Sequence, residues 1–233
     1  MASIKATNLQ LHIPTFGVGG KSLRASLATS IGLVSRIKSD GVRIFDDVNF
    51  EISNGDRVAL MGPNGAGKTS LLRLMGRIIW PTRGNLEVVG NVKTLISLGS
   101  GLDPNLSGIE NIKRLCLLSM PKIDCLEQIV NEVAQFSGLN DYLEMPVRTY
   151  SEGMRLRLIS GTVFTSESEI FLVDEFFGTG DEEFTRKVRV KMEEQVSNSH
   201  IFVLATHSKE LAKDYCNRAF HVEGGALTEI SLV

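Results

Sequence analysis

Residues Arg57 to Met75 read RVALMGPNGAGKTSLLRLM. The opening RVALM is a short apolar run that reads as a buried strand stopping at a glycine. From Lys68 onward Leu71, Leu72, Met75 and Ile79 fall on one face of a helix, and Pro81 with Gly84 is expected to stop it. Between strand and helix stand Gly62, Pro63, Asn64, Gly65, Ala66, Gly67, Lys68 and Thr69, followed by Ser70. This is the G-x-x-x-x-G-K-[ST] phosphate loop in its required strand-then-helix setting. The glycines let backbone N–H groups converge on phosphates, and the helix N-terminus adds partial positive charge. Lys68 is the residue expected to reach the β and γ phosphates, and the Thr69 hydroxyl to hold magnesium. An ordinary glycine turn explains neither the lysine and hydroxyl nor the two flanks.

Working outward, the decisive second stretch is IFLVDE, Ile170 to Glu175. Four apolar residues before two carboxylates describe a buried parallel strand that delivers acids to the sheet edge where the phosphate loop also ends. Asp174 suits magnesium, and Glu175 suits a general base for the attacking water, although the pair could instead cap the next helix. The strand IFVLATH, Ile201 to His207, ends on a histidine at the same edge, where it could contact a γ-phosphate. His12, His200 and His221 have other contexts and are read as ordinary histidines. Between the last two strands, Phe184, Val188, Met192 and Val196 mark a helix.

The remaining segments complete an alternation of strand and helix that indicates a mainly parallel α/β sheet. Ile4 to Ile13 and Arg43 to Ile52 alternate as strands, and Gly84 to Ser97 reads as two more about Gly90. Leu98 to Leu106 is a loop rich in Gly, Asp, Pro and Asn. Helical spacing follows at Ile109, Ile112 and Cys116, then at Ile129, Val133 and Phe136 with Gly138 as a C-terminal cap. Arg218 to Ile230 reads as a hairpin turning at Gly224 and Gly225. Tyr150 to Met154, YSEGM, opens a helix with Ser151 as its cap and carries Met154, Leu158 and Ile159.

Taken together, these motifs resemble the nucleotide-binding subunit of an ABC transporter over essentially the whole chain. GPNGAGKT is similar to Walker A, YSEGM to the family signature, IFLVDE to Walker B, GTGD (Gly178 to Asp181) to the D-loop, and His207 to the switch histidine. The YS-x-GM signature, the DEFFGTGD run and LGSGLDPNLSGIENI resemble, more narrowly, exporters of polysaccharide, O-antigen and teichoic acid. The resemblance implies a P-loop NTPase, RecA-like α/β core with a mixed parallel sheet, an N-terminal antiparallel β subdomain and an inserted α-helical subdomain. The whole of 1–233 would be one ABC domain, with about 1–97 and 165–233 as core and β subdomain and about 98–164 as the helical part.

By the same resemblance the substrate is ATP with Mg2+. Gly62 to Ser70 would bind it, Thr69 and Asp174 would hold the metal with a weaker contribution from Ser97, and Lys68, Glu175 and His207 would act in catalysis. Two copies would sandwich the nucleotide head to tail, with Ser151, Gly153 and Asp181 of one facing Lys68 and Thr69 of the other. A multispanning membrane permease would dock near Gly99 to Glu110, and the complex would move a lipid-linked glycan from the cytoplasmic face of the bacterial inner membrane. Three positions depart from the family pattern. Ser97 stands where Gln or an acid is usual, Glu152 replaces a Gly or Ser, and Ile13 stands where an aromatic would stack on adenine, with His12 and Phe16 as neighbours. Trp80 reads as core.

Composition is consistent with this and excludes other classes. With 233 residues, 22% charged and 42% hydrophobic, the chain has the length of one domain with an inserted lobe and an ordinary globular balance. Lys plus Arg is 25 against 27 for Asp plus Glu, a net charge of −2 that argues against nucleic acid as partner. No apolar run approaches about 18 residues, so no membrane span is expected, and the N-terminus lacks a secretory pattern. Cys116, Cys125 and Cys216 are far apart and read as reduced cytosolic thiols. A soluble ATPase acting on ribosomes or DNA is the alternative, but such clamps normally carry two cassettes and a basic linker. A small-molecule kinase would leave YSEGM, the D-loop and His207 unexplained. Only a hairpin follows His207, so no second domain is expected there. Lys21 to Lys38, KSLRASLATSIGLVSRIK, has Leu23, Leu27, Ile31 and Val34 at helical spacing and basic residues toward its ends. This insertion is expected either to pack on its own domain or to lie near the membrane.

Overall fold

The structure is a computed structural model that describes residues 1–13, 42–96, 101–119, 126–165, 168–174 and 182–232. Phe16, the insertion from Lys21 to Lys38, Ser97, Cys125, Glu175 and Asp181 lie outside these residues.

Strand β1 (Ser3–Ile13) pairs antiparallel with β2 (Val42–Ser53) and with β4 (Arg83–Val89), forming a three-stranded sheet in the order β2-β1-β4. Its pairing slips where Asn8 and Asp47 take positive φ, and the Asn49 carboxamide accepts the Asn8 N–H at 2.8 Å to hold the break. A second sheet has six strands in the order β5-β6-β7-β3-β8-β9. These are β3 (Arg57–Met61), β5 (Val92–Leu95), β6 (Ile170–Asp174), β7 (Ile201–Ala205), β8 (Arg218–Glu223) and β9 (Ala226–Ile230). The first five run parallel and β9 closes the sheet as an antiparallel hairpin partner of β8. β6 is buried from Ile170 to Val173 and β7 throughout, as expected of strands covered on both faces. The two strands expected about Gly90 are β4 and β5, but they join different sheets.

Helix α1 (Lys68–Met75) is shorter than its apolar spacing predicts. Arg77 takes φ 55°, its N–H donates to the Leu74 carbonyl at 3.0 Å, and the Ile78 N–H donates to the Arg73 carbonyl at 2.9 Å. This pair of bonds closes the helix five residues before Pro81. Ile79 leaves the helix yet still packs on the core, whereas Trp80 is turned out and is 72% exposed, which corrects its reading as core.

Helices α2 (Gly108–Ser119), α3 (Leu126–Ser137) and α4 (Glu152–Phe164) follow, with two 3-10 turns at Asn140–Glu144 and Val147–Thr149 between α3 and α4. They surround an apolar cluster of their own that includes Ile112, Cys116, Val133, Leu143 and Leu158. Gly138, φ 66°, turns the chain out of α3 as its spacing predicts. Among the described residues the rest of the molecule has two main layers of core, beside a small cluster of Ala59, Ala212 and Ala219. One lies between the two sheets around α1, and the other beneath α4 and α5 (Glu182–Asn198) on the opposite face of the large sheet. A short helix α6 (Lys209–Tyr215), capped by Ser208, connects β7 to β8 and had no counterpart in the sequence reading.

Candidate functional site

The loop from Gly62 to Thr69 joins β3 to α1, and its glycines are required by geometry. Gly62 has φ 144°, and a Cβ there would lie 2.2 Å from the Val222 carbonyl oxygen on β8. Gly67, φ 105°, precedes α1, and a Cβ would press on Ile44 and Phe45 at 2.9 and 3.0 Å. The loop can therefore lie against the hairpin and the small sheet only because these positions lack side chains. Gly67 at the N-cap offers α1 no side-chain acceptor, which leaves first-turn N–H groups available to an anion.

Lys68 is buried, and its Nζ donates to the carbonyls of Gly62 and Pro63 at 2.7 and 3.0 Å. The ammonium thus lies inside the loop that it would offer to a phosphate. Thr69 donates its hydroxyl hydrogen to Oδ2 of Asp174 at 2.7 Å across 105 residues of sequence. Pairing explains this meeting: Asp174 stands opposite Ala205 on β7, which lies beside Leu60 on β3, so three parallel strands end at one level. A hydroxyl and a carboxylate converging beside a phosphate loop form the hard oxygen donor set that magnesium takes, and the residues present fit that ion.

His207 lies two residues beyond β7 and is exposed. It shares a cleft of about 380 Å³ with Gly62 and Pro63, so the imidazole and the phosphate loop open onto the same space. Lys209, Lys213 and His221 line the same cleft and were not singled out as site residues.

Ser151 caps α4, accepting the Met154 N–H at 3.2 Å, and Tyr150 behind it is buried with its hydroxyl donating to the Tyr142 carbonyl. Burial pushes the Tyr150 phenol above its ordinary pKa. Glu152 is exposed. A Cβ on Gly153 would meet nothing nearer than the Ser151 hydroxyl at 3.9 Å, so no neighbour within this chain demands glycine there. Ile13 ends β1 and is 43% exposed. Ser97, Glu175 and Asp181 fall outside the described residues. Across the site, the structure brings Gly62, Lys68, Thr69, Asp174 and His207 to one edge of the large sheet and places Ser151 and Gly153 at the start of a helix in the helical part.

The family described as ABC transporter matches residues 45–178. An O-antigen export system ATP-binding protein of Yersinia enterocolitica is 38% identical over 236 residues, spanning 100% of this chain and 99% of its own length. A polysialic acid transport ATP-binding protein of Escherichia coli is 35% identical over 179 residues, 77% of this chain and 81% of that one. A teichoic acids export ATP-binding protein of Staphylococcus haemolyticus is 32% identical over 197 residues, 84% and 74%. Among solved structures, a dimeric ATP-binding cassette in a post-hydrolysis state with ADP and Pi superposes over 99% of both chains with a TM-score of 0.73 at 17% identity.

Proposed function

This chain belongs to the ABC transporter family of ATP-binding cassettes, and from that membership we propose that it binds and hydrolyses ATP to power export of a lipid-linked polysaccharide. The cargo would be of the O-antigen, capsule or teichoic-acid type, crossing a bacterial inner membrane from its cytoplasmic face. The observation that carries the reading is the meeting of Lys68, Thr69 and Asp174 at one sheet edge in a chain whose exporter relative matches it end to end. No described helix is long and apolar enough to cross a membrane, and the fact that the relatives are ATP-binding proteins of export systems supports a separate permease as the translocation path. The export relatives favour this over an ATPase acting on ribosomes or DNA.

The chemistry follows from the residues in hand. Lys68 exchanges the carbonyls of Gly62 and Pro63 for oxygens of the β and γ phosphates, while the first-turn N–H groups of α1 take the remaining phosphate charge. Thr69 and Asp174 are the residues that would hold magnesium, which would supply neutralisation of the phosphate charge. Glu175, next in sequence to Asp174, accepts a proton from the attacking water, and His207, which lines the same cleft as Gly62 and Pro63, donates to the γ-phosphate. Residues 98–164 form the helical lobe of a single cassette. Ser151, Gly153 and Asp181 of a second copy complete each site, and the permease docks near Gly99 to Glu110.

Purifying the chain with its permease and measuring ATP turnover tests this reading. Glu175→Gln keeps the side-chain shape without the proton acceptor. The variant is expected to bind ATP, to turn over at least about 10²-fold more slowly and to accumulate as an ATP-bound dimer. Near-normal turnover removes Glu175 from the base role, and hydrolysis stimulated by ribosomes or DNA but not by the permease overturns the export reading.

A further inference from the structure

Strand β5 carries a lysine where its own alternation calls for an apolar side chain. Lys93 and Leu95 point to the buried side, and Leu95 packs in the cluster beneath α4 and α5. Lys93 is only 6% exposed and stands opposite Phe171 in the pairing of β5 with β6. Its Nζ reaches the last turn of α4 and donates to the Val163 carbonyl at 2.8 Å. That carbonyl is one of the four at the end of the helix that no N–H of the helix can satisfy, and the cation sits at the negative end of the helix dipole. The opposite end of the same 13-residue helix, roughly 20 Å away at 1.5 Å per residue, carries Ser151 and Gly153.

Toward α3, Arg157 of α4 makes a second charged bond, donating to the Ser137 carbonyl at 3.1 Å, and the contacts of α4 with the cluster beneath it are of another kind. Leu156 and Phe164 pack into the apolar cluster, Phe136 meets Phe164 and Phe184 edge to face, and the Arg157 guanidinium lies over the Phe184 ring at 4.8 Å. Apolar contact is non-directional and allows a helix to swing on the sheet, whereas a charged hydrogen bond has a preferred length and angle.

We propose that Lys93 is a positioning residue for ATP-driven pairing of two copies, fixing through Val163 the angle at which α4 presents Ser151 and Gly153 to the nucleotide of the second copy. The inference rests on the two-copy reading above. Lys93 is buried beneath α4, so its action runs through the helix.

The test uses the full chain with magnesium and a non-hydrolysable ATP analogue, comparing wild type with Lys93→Met, which keeps an unbranched side chain of similar bulk. Three quantities are measured: analogue affinity at protein concentrations below dimerisation, the protein concentration for half-maximal dimer by sedimentation, and the melting temperature. Lys93→Met is expected to bind the analogue within about twofold of wild type and to melt no lower, while needing at least about fivefold more protein to dimerise, the low end of typical coupling between sites. Unchanged dimerisation overturns the proposal, and so does a joint fall of melting temperature and analogue affinity, which marks a purely structural lysine. Wild type that binds the analogue and stays monomeric overturns the two-copy reading and this inference with it.

Discussion

Lys93 also has a measurable consequence as a single residue. Burial pulls its ammonium from the ordinary 10.5 to about 8, while the neighbouring Cys116 thiolate would raise it. The unfolded chain holds this proton up to about 10.5, so between about 8 and 10.5 the unfolded state binds more protons and stability rises with pH. Below about 8 both states are protonated and the cost of the buried charge is complete. Cys116, pushed up by burial, and Cys216, pushed up to about 12, act in the opposite direction, because their unfolded forms lose a proton first. The informative quantity is therefore the difference in urea unfolding between wild type and Lys93→Met. Removing the charge outweighs the one donor lost by Val163, so the variant is expected to be at least as stable at pH 7. Its advantage should shrink by about 2 kcal/mol at pH 10. A pH-independent difference would show that Lys93 does not lose its proton in this range.

Helix ends are where individual elements of this fold were decided. Ser107 and Glu110 form a reciprocal cap at the start of α2: the Ser107 hydroxyl accepts the Glu110 N–H at 3.2 Å and the Glu110 carboxylate accepts the Ser107 N–H at 2.8 Å. The backbone bond at Ser107 holds the Glu110 carboxyl below its usual range. At the start of α4 the single cap is Ser151, a residue also read as facing the nucleotide of a second copy, and its two roles can be separated by substitution. Ser151→Gly sacrifices only a few tenths of a kcal/mol of capping, against about 1 kcal/mol for Ser151→Ala. Ser151→Gly should therefore melt close to wild type, Ser151→Ala several degrees lower, and both should dimerise poorly with ATP. The neighbouring Glu152 is exposed, and Glu152→Ser should change neither property. A large gain in ATP-driven dimerisation by Glu152→Ser would show that the carboxylate opposes closure.

For the whole molecule, the proposed export role requires the cassette to act at a membrane. Lys21 and Arg24 belong to no nucleotide motif, and they lie in the basic insertion between β1 and β2. Anionic lipid headgroups attract such charges with about 1 kcal/mol each near a membrane surface. The doubly substituted Lys21→Glu, Arg24→Glu chain should retain basal ATP hydrolysis within about twofold and lose glycan export in cells. Equal loss of both activities, or of solubility, would mean that the insertion packs on its own domain, and full export would remove these charges from the membrane contact.

Local pattern and chemistry were enough to place the strands β1, β2, β3, β6, β7 and the terminal hairpin, the glycine loop and the start of α4, because side-chain period and positive-φ glycines are written residue by residue. The resemblance carried by five short motifs added the family. Chain ends of helices were less visible: α1 stops at Arg77 through two backbone bonds that any residue able to take positive φ could make, and α6 is too short for periodicity to register. Three features arose only from tertiary structure. Asp174 meets Thr69 because parallel strands from distant segments end at one level, β4 and β5 part into separate sheets at Gly90, and Lys93 reaches the end of α4. Each depends on which segments become neighbours, and that is set by the burial of whole faces rather than by the spacing along any one of them.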